Sequence, residues 1–186
     1  FPKDKDKRQK LTNIIEKVVD EEGQKIIYWR DVPVDSSVLG ESVKSNEPFI
    51  KQVFIEMGDK ISTENEFERK LYIIRKQIFR NLQLYEQKFH DFYIPSLSTR
   101  TIVYKGMVLA PNLSKYYLDF QDESFKSAMA MFHQRFSTNT FPSWQLAQPF
   151  RYLCHNGEIN TVNGNINWIN SRKNSTKSKI LGSGID

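Results

Sequence analysis

The sequence has little of what several protein classes require. Of its 186 residues one is cysteine, Cys154. A lone cysteine excludes an internal disulfide framework and any cysteine-based zinc site. It fits a reducing compartment, because disulfides persist mainly in oxidising ones. No stretch approaches the ~20 consecutive apolar residues needed to span a bilayer. No apolar run follows the opening Phe1-Pro2-Lys3-Asp4-Lys5-Asp6-Lys7-Arg8, so no secretory leader is visible. The first residue is not Met, and the chain is expected to be a piece of a longer one. The histidines His90, His133 and His155 lack metal-ligand spacing, so no metal site is expected.

What is present suits a folded domain. Hydrophobic residues make up 39% of the chain and aromatics 13%, enough for a real core. The formal net charge is +5, but Lys and Arg alternate with Asp and Glu over most of the chain. No basic face interleaves with stacking aromatics, so the charge reads as solvated surface rather than a nucleic-acid footprint. A non-catalytic basic interaction module is the alternative that this charge leaves open.

Periodicity outlines the elements. The first ten residues read as a mobile charged tail, and residues 11–186 as one domain. Leu11, Ile14, Ile15, Val18 and Val19 form one face of a helix, with Gly23 placed to cap its end. Lys25–Val32 and Pro48–Met57 read as strands. Phe67, Leu71, Ile74, Ile78 and Leu82 mark a long helix. Phe92–Leu97, Thr101–Tyr104, Ala128–Phe136 and Phe150–His155 read as further strands, and Thr161–Arg172 as a helix. Strands outnumber helices, which gives an α+β class with mainly antiparallel sheet.

Two polar segments begin at predicted strand ends. They are His133-Gln134-Arg135-Phe136-Ser137-Thr138-Asn139-Thr140 and His155-Asn156-Gly157-Glu158-Ile159-Asn160. Loops at strand ends commonly carry sites. Amide hydrolysis needs oxyanion donors and a substrate clamp. The Asn156 side-chain NH2 and the Gly157 backbone N–H form a candidate pair of donors. The Arg135 fork suits a carboxylate such as that of an amino acid. On spacing alone, Asn156-Gly157 reads rather as a hairpin turn and Arg135 as a surface or salt-bridged charge. Cys154 and His155 are adjacent on a predicted strand and point to opposite faces, so they do not form a dyad. Cys154 reads as a small core residue, and His155 as a support for the turn. Asp119, Asp122, Glu123 and Glu158 read as exposed surface acids.

The run Arg135–Trp144, the run Leu146–Arg151 and the run His155–Asn165 together resemble the large chain of glutamate synthases. So do Phe92-Tyr93-Ile94 with Ser96–Met107, and Trp29-Arg30-Asp31-Val32-Pro33-Val34. The pattern of Arg, Ser and Thr followed by His-Asn-Gly is shared more widely by class II glutamine amidotransferases. The Thr99–Met107 block favours the synthase over enzymes of that class acting on sugar phosphates or aspartate.

The resemblance implies a four-layer α/β/β/α N-terminal-nucleophile fold, incomplete at both ends. It implies that L-glutamine is hydrolysed at an N-terminal cysteine whose α-amine is the base. The ammonia is then transferred reductively to 2-oxoglutarate, giving glutamate. It assigns Asn156 and Gly157 to the oxyanion hole, Arg135 to the substrate carboxylate, and Thr138 to the pocket wall. Trp29 and Arg30 receive no chemical role. Residue 1 is Phe, so the family nucleophile is not in this sequence, and Asp186 does not take the role of the family's downstream aspartate. The 186 residues alone are therefore expected to be inactive. FMN and an iron–sulfur cluster are implied for a parent enzyme and none for this chain. The implied partners are synthase domains of the same polypeptide and a small subunit or ferredoxin, with no nucleic acid and no membrane. The implied location is intracellular, in cytoplasm or plastid.

Overall fold

The computed structural model describes residues 1–83, 89–135, 141–155 and 161–180. Helix α1 spans Lys5–Glu21 and begins inside the stretch expected to be a tail. Asp4 explains the early start: its carboxylate accepts from the Lys7 N–H at 2.7 Å, satisfying one of the free donors of the first turn. Phe1 packs its ring edge-on to Phe92, centroids 4.9 Å apart, and its carbonyl accepts from the Phe49 N–H at 2.8 Å. At the other end Gly23 takes φ 71°. Its N–H bonds to the Asp20 carbonyl and that of Gln24 to Val19, the paired bonds of a Schellman cap.

Strand β1, Lys25–Asp31, pairs antiparallel with β2, Lys51–Glu56. The register runs from Lys25 opposite Glu56 to Asp31 opposite Lys51, with a bulge between Ile26 and Tyr28. The bulge lets Ile26 and Trp29 both face the core while Ile27 stays exposed. Helix α3, Glu64–Gln83, covers this core together with α1. It opens on a reciprocal capping box: the Glu66 N–H donates to Thr63 Oγ1, and the Thr63 N–H donates to Glu66 Oε2. All five α1 stripe residues and all five α3 stripe residues are buried, with Leu11 and Ile74 fully so.

A second core lies beyond the strand ends. Val32, Leu39, Tyr116, Tyr117 and Trp144 form it. They draw on the short helices α2, Glu41–Lys44, and α4, Leu113–Tyr116. Tyr116 is fully buried, and its hydroxyl donates to Glu47 Oε1 at 2.8 Å. The same oxygen accepts from Ser36 Oγ at 2.7 Å, so the buried carboxylate is hydrogen-bonded. Helix α5, Val162–Arg172, matches the helix expected there.

The sheet is smaller than expected. Among the described residues it has two strands, and the four-layer arrangement is not seen. Phe92–Leu97 and Thr101–Tyr104 do not join it. The Ser98–Arg100 link between them is tied instead to side chains of α3. Glu68 accepts from Ser98 Oγ at 2.8 Å and from the Thr99 N–H, while Arg100 Nε donates to Glu64 at 2.7 Å. Residues 128–135 also find no ladder partner among the described residues, and Met129 and Phe132 stay exposed. Phe150–His155 contributes one bridge, Phe150 to Leu153, closed by reciprocal N–H···O bonds of 2.7 and 2.8 Å. A ladder needs a neighbouring strand, and these segments have none here.

Candidate functional site

Three of the four expected site residues, Thr138, Asn156 and Gly157, lie outside the described residues. Arg135 is described and exposed, and its backbone N–H donates to His133 Nδ1 at 3.2 Å. The residues that lead into both polar segments are described, and they meet. Cys154 Sγ lies 3.9 Å from the Phe132 carbonyl oxygen, a weak thiol hydrogen bond between two segments distant in sequence. Cys154 is half-buried, not a core residue as expected, because it sits at this junction.

Gln148 fixes the second segment's approach. Its side-chain amide donates to the His155 carbonyl at 2.6 Å and accepts from the His155 N–H at 3.1 Å. A primary amide has the donor and acceptor of a peptide group, so Gln148 takes the place of a missing strand neighbour. The backbone just before Asn156 is thereby held. That agrees with a structural part for His155.

Trp144 anchors the stretch that carries Gln148. It is buried against Tyr116, ring centroids 5.7 Å apart, and its indole N–H donates to the Val43 carbonyl at 3.4 Å. Gly106 permits the approach: a Cβ there would overlap the Trp144 ring. The Arg135–Trp144 and Ser96–Met107 sequence blocks therefore touch through one indole. Arg151 follows at φ 52°, the left-handed backbone of the tight Phe150–Leu153 turn.

Sequence reasoning missed a polar network. Arg30, given no role, donates Nη1 to Asp119 Oδ2 at 2.9 Å and to Gln52 Oε1 at 2.8 Å, and Nη2 to Asp119 Oδ1. The Tyr104 hydroxyl donates to Asp119 Oδ2 at 2.6 Å. Asp119, expected to be a surface acid, is thus a largely buried partner. The Arg30 hydrogen bonds hold its carboxyl below the usual carboxylate range. Burial and the bond to Asp119 push Tyr104 up to about 12. The usable signal was Arg30 within an apolar strand, where a charge requires a partner.

A cavity of about 650 Å3 lies between β2, α3 and the extended 92–105 segment. Trp29, Ile55, Leu71 and Ile94 give it apolar walls, and the Arg30–Asp119–Tyr104 network lines part of it. Arg135 is not among the described residues that line it. Among the described residues no cluster of His, Cys, Asp or Glu could hold a metal ion. One cysteine is also too few for the thiolates of an iron–sulfur cluster, so the residues of this chain do not fit that group. No helix among them is long and apolar enough to cross a membrane.

The family model for class-II glutamine amidotransferases matches residues 1–186, the whole chain. The chain belongs to that family. It is 45% identical over 186 residues, 100% of its length, to the glutamate synthase [NADPH] large chain of Bacillus subtilis. It is 44% identical over 97% of its length to a ferredoxin-dependent glutamate synthase of Arabidopsis thaliana, and 48% identical over 81% to the glutamate synthase [NADPH] large chain of Azospirillum brasilense. It spans 12%, 11% and 10% of these three relatives.

Proposed function

We propose that this chain is part of the glutaminase domain of a glutamate synthase. The reading is carried by whole-chain similarity to such large chains, 45% identity over 186 residues in one case. The Cys154–Phe132 contact supports a shared site, because the segment starting near Arg135 and the segment starting at Asn156 follow directly from it.

In this reading the thiolate of an N-terminal cysteine, supplied by the parent polypeptide, attacks the glutamine side-chain carbonyl. Its α-amine takes the thiol proton. The carbonyl oxygen gains the negative charge and accepts from the Asn156 side-chain NH2 and the Gly157 N–H. Arg135 clamps the substrate α-carboxylate with its fork, and Thr138 bounds the pocket. The tetrahedral intermediate collapses, the C–N bond breaks, and ammonia leaves with the proton returned by the base. Water then hydrolyses the thioester to glutamate. Ammonia passes to synthase domains of the same polypeptide, where 2-oxoglutarate is aminated and reduced. FMN, the iron–sulfur cluster and the electron donor, ferredoxin or a small subunit, belong to those parts. Residues 11–186 then form part of one four-layer domain whose remaining strands lie elsewhere in the polypeptide, in cytoplasm or plastid.

The test is Asn156→Ala in the parent polypeptide. Loss of one oxyanion donor lowers glutaminase kcat by about 10²–10³-fold, with glutamine binding retained. Unchanged turnover would make Asn156-Gly157 a structural turn and remove the assignment.

A further inference from the structure

The chain ahead of Asn156 is held by a side chain where a backbone would ordinarily serve. Phe150 and Leu153 exchange both N–H···O bonds, at 2.7 and 2.8 Å, across the turn at Arg151. In an antiparallel pair such exchanges recur at every second residue, so the next one falls between Gln148 and His155. Those two residues do bond, but through the Gln148 side chain. Its Nε2 donates to the His155 carbonyl at 2.6 Å, and its Oε1 accepts from the His155 N–H at 3.1 Å.

Gln148 stands on a fixed base. Trp144 and Ala147 are buried, and the Leu146 and Ala147 N–H groups both donate to the Ser143 carbonyl at 3.1 Å. Lys105, itself buried, donates its Nζ to the Gln145 carbonyl at 2.7 Å. The stretch from Ser143 to Gln148 is thus tied down at three consecutive places before it presents the amide.

Two bonds do more here than one. A peptide unit is planar. The His155 N–H belongs to the unit before its Cα, and the His155 carbonyl to the unit after it. Holding both units sets both backbone dihedrals of His155, and with them the direction in which the chain passes on to residue 156.

We propose, resting on the oxyanion role given above to Asn156 and Gly157, that Gln148 is a positioning residue for glutamine hydrolysis. Through His155 it aims the Asn156 side chain and the Gly157 N–H at the developing oxyanion. Such donors act only at about 2.7–3.1 Å from that oxygen, and a misplacement of ~1 Å costs up to ~10²-fold in rate. Substrate binding is left to Arg135, on the other polar segment.

The experiment compares Gln148→Met, Asn156→Ala and the double variant in the parent polypeptide by steady-state glutaminase assay. Met keeps the length of the side chain and removes both hydrogen bonds. Gln148→Met lowers kcat about ten- to hundred-fold, with the KM for glutamine within about twofold. The double variant loses less than the product of the two single losses, by about tenfold, because Gln148 acts in part through the donor already removed. Gln148→Glu keeps the shape but turns a second acceptor on the His155 carbonyl, so it lowers kcat at least as far. That variant decides the matter if Gln148→Met does not fold. Full turnover in the Gln148 variants beside a loss of about 10²–10³-fold in Asn156→Ala overturns the proposal and leaves the oxyanion assignment standing. Losses that multiply in the double variant, or a rise in KM with kcat unchanged, overturn it as well. Full turnover in Asn156→Ala removes the oxyanion assignment itself, and the role of Gln148 with it.

Discussion

Replacing Asp119 by Ala removes the acceptor of two Arg30 hydrogen bonds and one from Tyr104. The Arg30 side chain is 32% exposed and that of Asp119 10%. Removing one partner of a fully buried ion pair costs about 3–5 kcal/mol, because the other charge is left stranded. Arg30 is screened by its partial exposure and keeps its bond to Gln52, which brings the expectation down to about 2–3 kcal/mol. Urea unfolding at pH 7 reads this as a lower midpoint with the slope unchanged. Arg30→Met alone costs a similar amount, and the double variant Arg30→Met/Asp119→Ala costs less than the sum by at least ~1 kcal/mol. The sign with pH follows from the depressed carboxyl. Asp119 contributes its stability above the unfolded carboxylate value near ~3.9, and loses it as pH falls through the lower folded value. The Asp119→Ala variant therefore loses less stability than the unsubstituted protein on acidification below about pH 4. A loss under ~0.5 kcal/mol at pH 7, the range of an ordinary surface change, would refute the network. Strict additivity in the double variant would do the same.

Three further outcomes test the site's scaffold. Gly106→Ala drives a methyl group into the buried Trp144 ring and costs about 1–3 kcal/mol, seen as a lower Tm. In the parent polypeptide Arg135→Lys raises the KM for glutamine about tenfold and leaves kcat nearly unchanged, because a point charge replaces a two-pronged clamp. Cys154→Ser leaves glutaminase kcat unchanged in steady-state assay, since the thiol bridges two segments and takes no chemical part. A collapse of kcat in that variant would return Cys154 to the chemistry.

Local signals were readable and non-local ones were not. Both long helices were legible because an apolar stripe lies within twenty residues, with the Gly23 cap beside the first, while the starts at Asp4 and Thr63 were not read. The β1–β2 pair was legible as two runs, while its bulge at Ile27, which sets which side chains face the helices, was not. The overestimate of strands has one physical source. Thr101–Tyr104 has strand composition, yet Glu68 and Glu64 of α3 took the hydrogen bonds of the Ser98–Arg100 link leading into it. Alternating apolar residues state that a segment could pair, and are silent about what it meets.

The site divides along the same line. Arg135, Asn156 and Gly157 could be named as candidates because the chemistry of an oxyanion and a carboxylate restricts which groups can serve, and the family resemblance chose them over a plain turn and a surface charge. The residues that hold the described segments beside them are generic: an amide at Gln148, an indole at Trp144, a glycine at Gly106. None has a chemical signature in sequence, and each acts only through a contact, Gln148 on His155 or Trp144 on Gly106. Asp119 was misread for the same reason. An acid in a polar stretch is exposed by default, and nothing within Tyr116–Asp122 indicates a guanidinium 89 positions earlier in the chain. A charge inside an apolar strand does carry that information. Arg30 is flanked by Trp29 and followed by Val32, and burying it alone would cost several kcal/mol. The search for a partner should begin from the strand cation, where the energetic demand is strict, and not from the loop acid, where it is weak.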